Sequence, residues 1–99
     1  MKIVEVEFKG RGSQKSFDFK QLKREGCFAI YQKKDRELGS VTFETVHIRK
    51  HNGYTLGGVT IPPGERYPSD REFGLYGFAC MTLERAEFRL NEFLNNKNE

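Results

Sequence analysis

The chain has 99 residues, of which 36% are hydrophobic and 31% charged, and its net charge is +3. This length predicts one domain, and nine Phe and four Tyr provide the aromatic side chains for its core, which excludes a disordered chain. No apolar run approaches the ~18 residues that a membrane span needs. Residues 1–7 alternate charged and apolar side chains instead of forming a secretion signal, so we expect the protein in the cytoplasm.

The first third of the chain predicts three strands. Residues 2–9 alternate with a period of two, turn residues follow at 10–13, and residues 15–19 alternate again, which predicts a β-hairpin. A short polar link with room for one helical turn comes next. Residues 27–31 then form a β-prone run that ends at the charged turn 33–36.

The middle of the chain predicts a second hairpin around Asn52-Gly53, a dipeptide typical of two-residue type I′ turns. With that turn, one face of the hairpin collects Val46, Ile48, Val59 and Ile61. The other face collects Thr45, His47, Arg49, His51, Tyr54 and Leu56. Val41 and Phe43 have the opposite parity to Val46 and Ile48, which predicts a β-bulge near Glu44-Thr45.

The last third predicts a loop, a short helix and a long helix. Prolines exclude residues 62–68 from a central strand, and Ser69 with Glu72 has the capping-box spacing of a short helix near 69–74. The apolar residues 75–81 form a buried connection that can include a short strand. Thr82 is a good N-cap for an amphipathic helix over 83–95, whose apolar stripe is Leu83, Ala86, Leu90, Phe93 and Leu94.

These elements predict an α+β fold, a mostly antiparallel sheet of about five strands on which one C-terminal amphipathic helix packs. The single domain, 1–99, then consists of a β-rich sheet half (1–61), a loop with the short helix (62–81) and the C-terminal helix (82–95). We expect the residues after 94 to fray.

Catalysis and metal binding are disfavoured by the residue spacing. The candidate zinc ligands are Cys27, His47, His51 and Cys80. Their two cysteines are too far apart in sequence to have the spacing of a zinc-ligand pair. Both cysteines lie in apolar runs and are expected to be reduced, buried side chains, although their separation would also allow a disulfide. The glycine pairs complete no phosphate-binding loop, and no catalytic motif surrounds the histidines. We therefore expect a protein that is not an enzyme and that uses no cofactor or metal.

The basic charge of the first half suggests one kind of partner. Between Lys9 and Arg24, six basic residues accompany the single acidic residue Asp18. Such a stretch attracts polyanions, and the alternative is a solvated basic rim. The nucleic-acid-binding hypothesis combines part of this stretch with the outer face of the second hairpin, and its residues are Lys15, Lys20, Lys23, Arg24, His47, Arg49 and Tyr54.

The loop over 62–78 suggests the other kind of partner. It is long for a compact domain, and it is rich in tyrosine and arginine, which are enriched at the energetic centres of protein interfaces. Phe88 lies away from the apolar stripe of the last helix and joins this set. The candidate protein-binding residues are Arg66, Tyr67, Arg71, Tyr76 and Phe88.

The C-terminal part of the chain resembles a known group of proteins. Residues 68–78, with the acidic-Phe-Gly turn Glu72-Phe73-Gly74, followed by Thr82-Leu83-Glu84-Arg85-Ala86, resemble the endings of small orphan proteins of bacteriophages and other mobile elements. The resemblance implies a small intracellular protein that binds and blocks a host macromolecule. It assigns no activity to any residue.

The sequence thus predicts a non-catalytic binding module that engages a protein partner and modulates it. The alternative is a nucleic-acid-binding accessory protein. A third alternative is an obligate homodimer joined through an edge strand or through the helix face that carries Phe88. We expect no membrane partner.

Overall fold

Nine strands and one α-helix make up the computed structural model, which describes residues 4–96. The strands are β1 (Glu7–Lys9), β2 (Phe17–Glu25), β3 (Phe28–Asp35), β4 (Val41–His47), β5 (Arg49–His51), β6 (Tyr54–Leu56), β7 (Val59–Ile61), β8 (Gly64–Arg66) and β9 (Gly77–Cys80). The helix is α1 (Leu83–Asn96), and 3₁₀ turns cover Gly12–Gln14 and Asp70–Glu72. Parts of the predicted first strand and of the predicted C-terminal tail lie outside the described residues.

Five strands form an antiparallel sheet in the order β1-β2-β3-β4-β9, and α1 packs on β3, β4 and β9. The predicted α+β fold, with an antiparallel five-stranded sheet and one C-terminal helix, is therefore confirmed. Thr82 caps the helix as predicted, because its Oγ1 accepts a hydrogen bond from the Arg85 N–H at 3.2 Å. The predicted hairpin at the start of the chain is also present as β1 and β2.

Both faces of the central strands are buried. On one face, α1 covers the helix-side core, which consists of Phe28, Ile30, Cys80, Ala86 and Leu90. On the opposite face lies the loop-side core, which consists of Phe19, Ala29, Tyr31, Val46 and Ile48. Residues from the N-terminal segment and from the segment after β8 cover this second core; they are Val4, Phe8, Phe17, Tyr67 and Phe73.

The predicted bulge at Glu44-Thr45 is wrong, because β4 pairs with β3 without a shift of register from Val41 to His47. The parity of the apolar residues changes along β4 for a different reason. Phe43 packs against the helix-side core and Val46 belongs to the loop-side core, so the strand has apolar neighbours on both faces. A strand buried on both faces need not alternate.

The predicted hairpin turn at Asn52-Gly53 is also wrong. β5 pairs with β8, and β6 pairs with β7. The two-residue turn lies at Gly57-Gly58, whose φ values of 57° and 81° are both positive, as a type I′ turn requires. In this pairing Tyr54 lies opposite Ile61 and Leu56 opposite Val59, so these four side chains share one face instead of lying on two.

Two further boundaries differ from the prediction. The polar link after residue 19 is part of β2, whose register with β3 shifts between Gln21 and Lys23. The charged residues 33–35 belong to β3, so the turn comes later, before Val41. Lys20 and Lys34 on these strands are exposed, whereas Asp35 is buried and its Oδ1 accepts hydrogen bonds from the N–H groups of Glu37 and Leu38 in the turn that follows.

The segment before α1 contains a single 3₁₀ turn, Asp70–Glu72, where a short helix was predicted. The capping box that supported the helix is present: the Ser69 N–H donates to Glu72 Oε1 at 2.9 Å. Gly74, with φ of 100°, ends the turn. The short strand predicted within 75–81 is confirmed as β9.

Candidate functional site

The segment from Arg49 to Arg66 forms a β-arm, which we call the arm. Its root is the pair β5–β8 and its tip is the hairpin β6–β7. At the joint between root and tip, Gly53 has φ of 90°, and an added Cβ would lie 2.7 Å from the Ile61 carbonyl oxygen and 3.2 Å from the Pro63 nitrogen. Only glycine fits this close approach of two backbone segments.

The tip has one apolar face, formed by Tyr54, Leu56, Val59 and Ile61; we call it the tip face. Tyr54, Leu56 and Val59 are exposed by 53%, 69% and 59%. Thr55 and Thr60 pair on the opposite face, and residues 52–64 contain no charged side chain. The tip is therefore a small amphipathic hairpin whose apolar side is open to solvent, which is typical of a contact surface.

The root of the arm is fixed to the sheet through Glu65. Its carboxylate accepts two hydrogen bonds from the Arg24 guanidinium, at 2.7 and 3.0 Å, and a third from the Val4 N–H at 3.1 Å. Only 7% of the Glu65 side chain is exposed. The hydrogen bonds from Arg24 lower the pKa of Glu65, against the effect of burial, so the ion pair persists at neutral pH.

A second clamp fixes the root to the 3₁₀ turn before β9. Glu72 Oε2 accepts from Arg66 Nη2 at 2.7 Å and also forms an ion pair with Arg49. The Arg49 guanidinium lies over the Tyr76 ring, 3.9 Å from its centroid. The two clamps hold the arm from both of its root strands.

The predicted protein-binding residues lie in different surroundings. Tyr67 is turned inward: its ring packs edge-on against Phe8, Phe19 and Tyr31, and its hydroxyl donates to Glu44 Oε1 at 2.7 Å. Arg66 and Tyr76 belong to the clamp of the arm root. Arg71 is exposed on the 3₁₀ turn, and Phe88 is exposed by 52% on α1 with the Arg85 guanidinium over its ring.

The predicted nucleic-acid-binding residues do not form one basic patch. Arg24 and Arg49 are engaged by Glu65 and Glu72. Lys20 lies opposite Glu7 across the strand pair, and Asp18 lies opposite both Lys9 and Lys34. The other predicted residues are spread over the fold: exposed Lys15 follows the first 3₁₀ turn, exposed Lys23 is on β2, His47 is on β4 and Tyr54 is on the tip.

His47 is held in an aromatic setting under α1. Its ring lies 4.7 Å from the Phe28 ring, 5.7 Å from Tyr76 and 6.2 Å from Phe93, measured between centroids. Burial, with a smaller effect from Arg49, lowers the pKa of His47 below its usual 6.5. The neutral ring therefore packs among aromatic side chains on the face of the sheet that α1 covers.

This lowered pKa predicts a pH dependence of stability. When the pH falls through about 6.5, the unfolded chain binds a proton at His47 before the folded chain does. The contribution of His47 to the free energy of unfolding is complete above about pH 6.5. It is lost as the pH falls toward the lower pKa that His47 has in the folded protein. Urea unfolding between about pH 7.5 and 5.5 should show this loss, and H47F should remove most of it. An equal loss in H47F would assign the dependence to other groups.

Among residues 4–96, no group of three or more His, Cys, Asp or Glu side chains is placed to hold a metal ion. Cys27 and Cys80 are free thiols, and burial raises the pKa of Cys80, which disfavours the reactive thiolate. Within the same range, the helix of the structure is too short and too polar to cross a membrane.

The sequence alone did not predict the tip face as a candidate site. Leu56, Val59 and Ile61 were divided between two faces because the turn was placed at Asn52-Gly53. Two signals point to the observed arrangement: the charge-free stretch 52–64, and Gly57-Gly58, a dipeptide that suits the same turn type.

Comparison of the chain with protein-family models, with curated proteins and with solved structures finds no match. We therefore infer a function from the chemistry of the arm alone. Its main features are an open apolar face without charge and a root fixed by two ion-pair clusters.

Proposed function

We propose that the protein is a non-catalytic binding module that engages a protein partner through the tip face of the arm. The observation that carries this proposal is the exposure of Tyr54, Leu56 and Val59 on one side of a hairpin without charged residues. The resemblance of the C-terminal segment to phage and mobile-element proteins suggests that the partner is a host protein, whose activity is modulated by the binding.

The chemistry of the tip favours protein over nucleic acid. The charge-neutralising phosphate contacts that dominate affinity for nucleic acids come from Lys and Arg side chains, and residues 52–64 contain neither. Binding is favoured when an apolar surface of a partner removes aliphatic side chains such as Leu56 and Val59 from water. A tyrosine at the edge of such a face adds a large contact area with little loss of side-chain entropy.

The construction of the root supports the same conclusion. Glu65 and Glu72 each bind a guanidinium at 2.7 Å, and Gly53 fixes the joint between root and tip. A recognition element held in its bound geometry loses less conformational entropy on binding. These contacts thus hold the arm in one position, although the arm adds no residue to the helix-side or loop-side core.

A pair of matched double variants tests the proposal. L56K/V59K places two lysines on the tip face, whereas T55K/T60K places two lysines on the opposite face of the same hairpin. Both add the same charge, and both should fold, because all four side chains are exposed. We expect wild type and T55K/T60K to retain a common protein from host lysate, and L56K/V59K to bind it at least ten-fold more weakly once it is purified.

Two outcomes would contradict this proposal. Equal retention by both variants would place the contact elsewhere on the protein. Salt-sensitive binding of DNA or RNA that is lost in K20E/K23E but kept in L56K/V59K would support the nucleic-acid alternative instead.

A further inference from the structure

We propose that the free edge of β1 is a second binding surface, which takes an extended segment of a partner protein as an added strand. This surface is separate from the tip face, so the inference goes beyond the proposed function. The added segment pairs with the backbone of Glu7–Lys9 and carries an acidic, an aromatic and a basic residue in that order.

The first argument concerns the backbone of β1, which pairs only with β2 among residues 4–96. The Gly10 N–H donates to the Phe17 carbonyl, so the backbone groups of Gly10 face β2. These groups alternate in direction along an antiparallel strand, so the N–H and C=O groups of Glu7 and Lys9 point away from β2. Such a row of backbone donors and acceptors is matched by another extended chain.

The second argument concerns the side chains of β1, and it specifies the sequence of the occupant. β1 carries an acidic, an aromatic and a basic residue: Glu7, Phe8 and Lys9. The residues of β2 opposite to them are basic, aromatic and acidic: Lys20, Phe19 and Asp18. An antiparallel segment on the free side of β1 meets the same three side chains, and opposite charges across a strand pair are favourable.

The signs of these charges also matter for selection. Charges on an edge strand normally prevent pairing with other chains. The exposed side chains of Glu7 and Lys9 have opposite signs, so a segment with the complementary order is attracted, whereas a segment with two like charges is not. The edge therefore favours one sequence pattern over others.

The third argument is a groove of about 380 Å³ beside β1, a volume within the ~300–1,000 Å³ range of ligand sites. Phe8 lines it on the β1 side, and Glu65, Arg66 and Tyr67 line it on the side of the arm root. The aromatic residue of the added segment lies opposite Phe8 on the same face of the sheet. Its side chain thus enters the groove beside Tyr67.

The groove also favours a partner segment over a second copy of this chain. It is bounded by β1 on one side and by the arm root on the other, which leaves room for one extended strand. A second copy that pairs through its own β1 brings its arm root and sheet to the same place. An extended segment from a loop or a chain end of a partner meets no such obstacle.

Binding of a short peptide to the purified protein tests the inference. The probe is acetyl-Thr-Asp-Phe-Lys-Thr-amide. The control is the same peptide with methylated backbone nitrogens at Asp and Lys, which cannot donate to the carbonyls of β1. In amide chemical-shift titrations we expect saturable shifts along β1, with a dissociation constant on the order of 1 mM for the probe and at least ~ten-fold weaker binding of the control.

K9A and K9P form a matched pair on the side of the protein. Both remove the lysine charge, but only proline removes the N–H group, and proline is tolerated where the N–H of an edge strand faces solvent. K9A should weaken binding of the probe about three-fold, the effect of a lost cross-strand charge pair. K9P should weaken it at least ~ten-fold. The methylated peptide keeps the test valid if K9P folds poorly.

Several outcomes would overturn the inference. They are the absence of saturable shifts up to about 10 mM probe, equal binding of probe and methylated control, and equal binding of the probe by K9A and folded K9P. Shifts of β1 amides that depend on protein concentration without any peptide would assign the edge to a second copy and overturn it as well.

The tip variant separates this inference from the proposed function. L56K/V59K should bind the probe as tightly as wild type does, because its substitutions lie on the tip face. Failure of the peptide to bind would leave the capture result of the tip untouched. Loss of probe binding in L56K/V59K would contradict a separate site at β1.

Discussion

Replacing Tyr67 with alanine should lower the free energy of unfolding by about 3 kcal/mol. The ring contacts three aromatic side chains of the loop-side core and its cover, with centroid distances of 5.2 to 5.7 Å. The hydroxyl donates to Glu44, whose side chain is only 8% exposed. The substitution therefore removes aromatic packing and also leaves a buried carboxylate with Lys33, 3.4 Å away, as its remaining partner. Urea unfolding at pH 7.5 measures the change.

Two variants make this result specific. Y67F keeps the ring and should cost about 2 kcal/mol, the effect of a lost hydrogen bond to a buried carboxylate. Y54A removes the same side chain from the exposed tip and should change stability by less than about 0.5 kcal/mol. A Y67A protein as stable as Y54A would contradict the inward position of Tyr67. Burial and the charge of Glu44 raise the pKa of Tyr67 well above its usual value, so the hydroxyl remains a donor across the pH range of folding experiments.

Replacing Leu90 with alanine should have an effect of the same size, about 3 kcal/mol. Leu90 is 1% exposed and lies in the helix-side core, where α1 meets the sheet. Alanine leaves a cavity there without reducing helix propensity, so the loss reports packing between helix and sheet. Thermal unfolding followed by circular dichroism, with urea unfolding beside it, measures the loss.

L83A is the matched control for this prediction. Leu83 begins the same helix and is exposed by 40%, so the same substitution should cost less than about 1 kcal/mol. Equal losses for L83A and L90A would contradict the assignment of the Leu90 effect to its packing against the sheet.

Local patterns were sufficient to predict the parts of the fold that depend on neighbouring residues. The amphipathic stripe and the Thr82 cap predicted α1 within one residue of its observed end, since both signals lie within the helix itself. The capping box at Ser69 was also present, but the segment formed only a 3₁₀ turn. With Gly74 two residues beyond Glu72, too few residues follow to propagate an α-helix.

The strand pairing of the middle segment depends on more distant residues. Asn52-Gly53 and Gly57-Gly58 both suit a two-residue turn, and local preference does not decide between them. Pairing of β5 with β8 is accompanied by the contacts of Glu65 with Arg24 and of Arg49 with Glu72, which join parts of the chain far apart in sequence. Such contacts leave no short-range pattern.

The same limit applies to the candidate binding residues. Tyrosine and arginine are frequent in interfaces, but their type does not tell which way they point. Tyr67 covers the loop-side core, and Arg66 and Arg49 hold the arm, so three residues that were selected for contact have partners inside the protein. Leu56 and Val59 were overlooked because a turn in the wrong place separated them.

The joint at Gly53 separates the tip, residues 54–61, from the part of the protein that contains both cores. Neither core contains a side chain from the tip. The ion pairs that fix the root are also formed by residues outside the tip. Under the proposed function, we expect substitutions among residues 54–61 to alter recognition with little cost to the fold. With such a division, the sequence of a binding tip would be free to diverge while the sheet and helix are kept, and the tip is a natural place to graft a foreign recognition sequence.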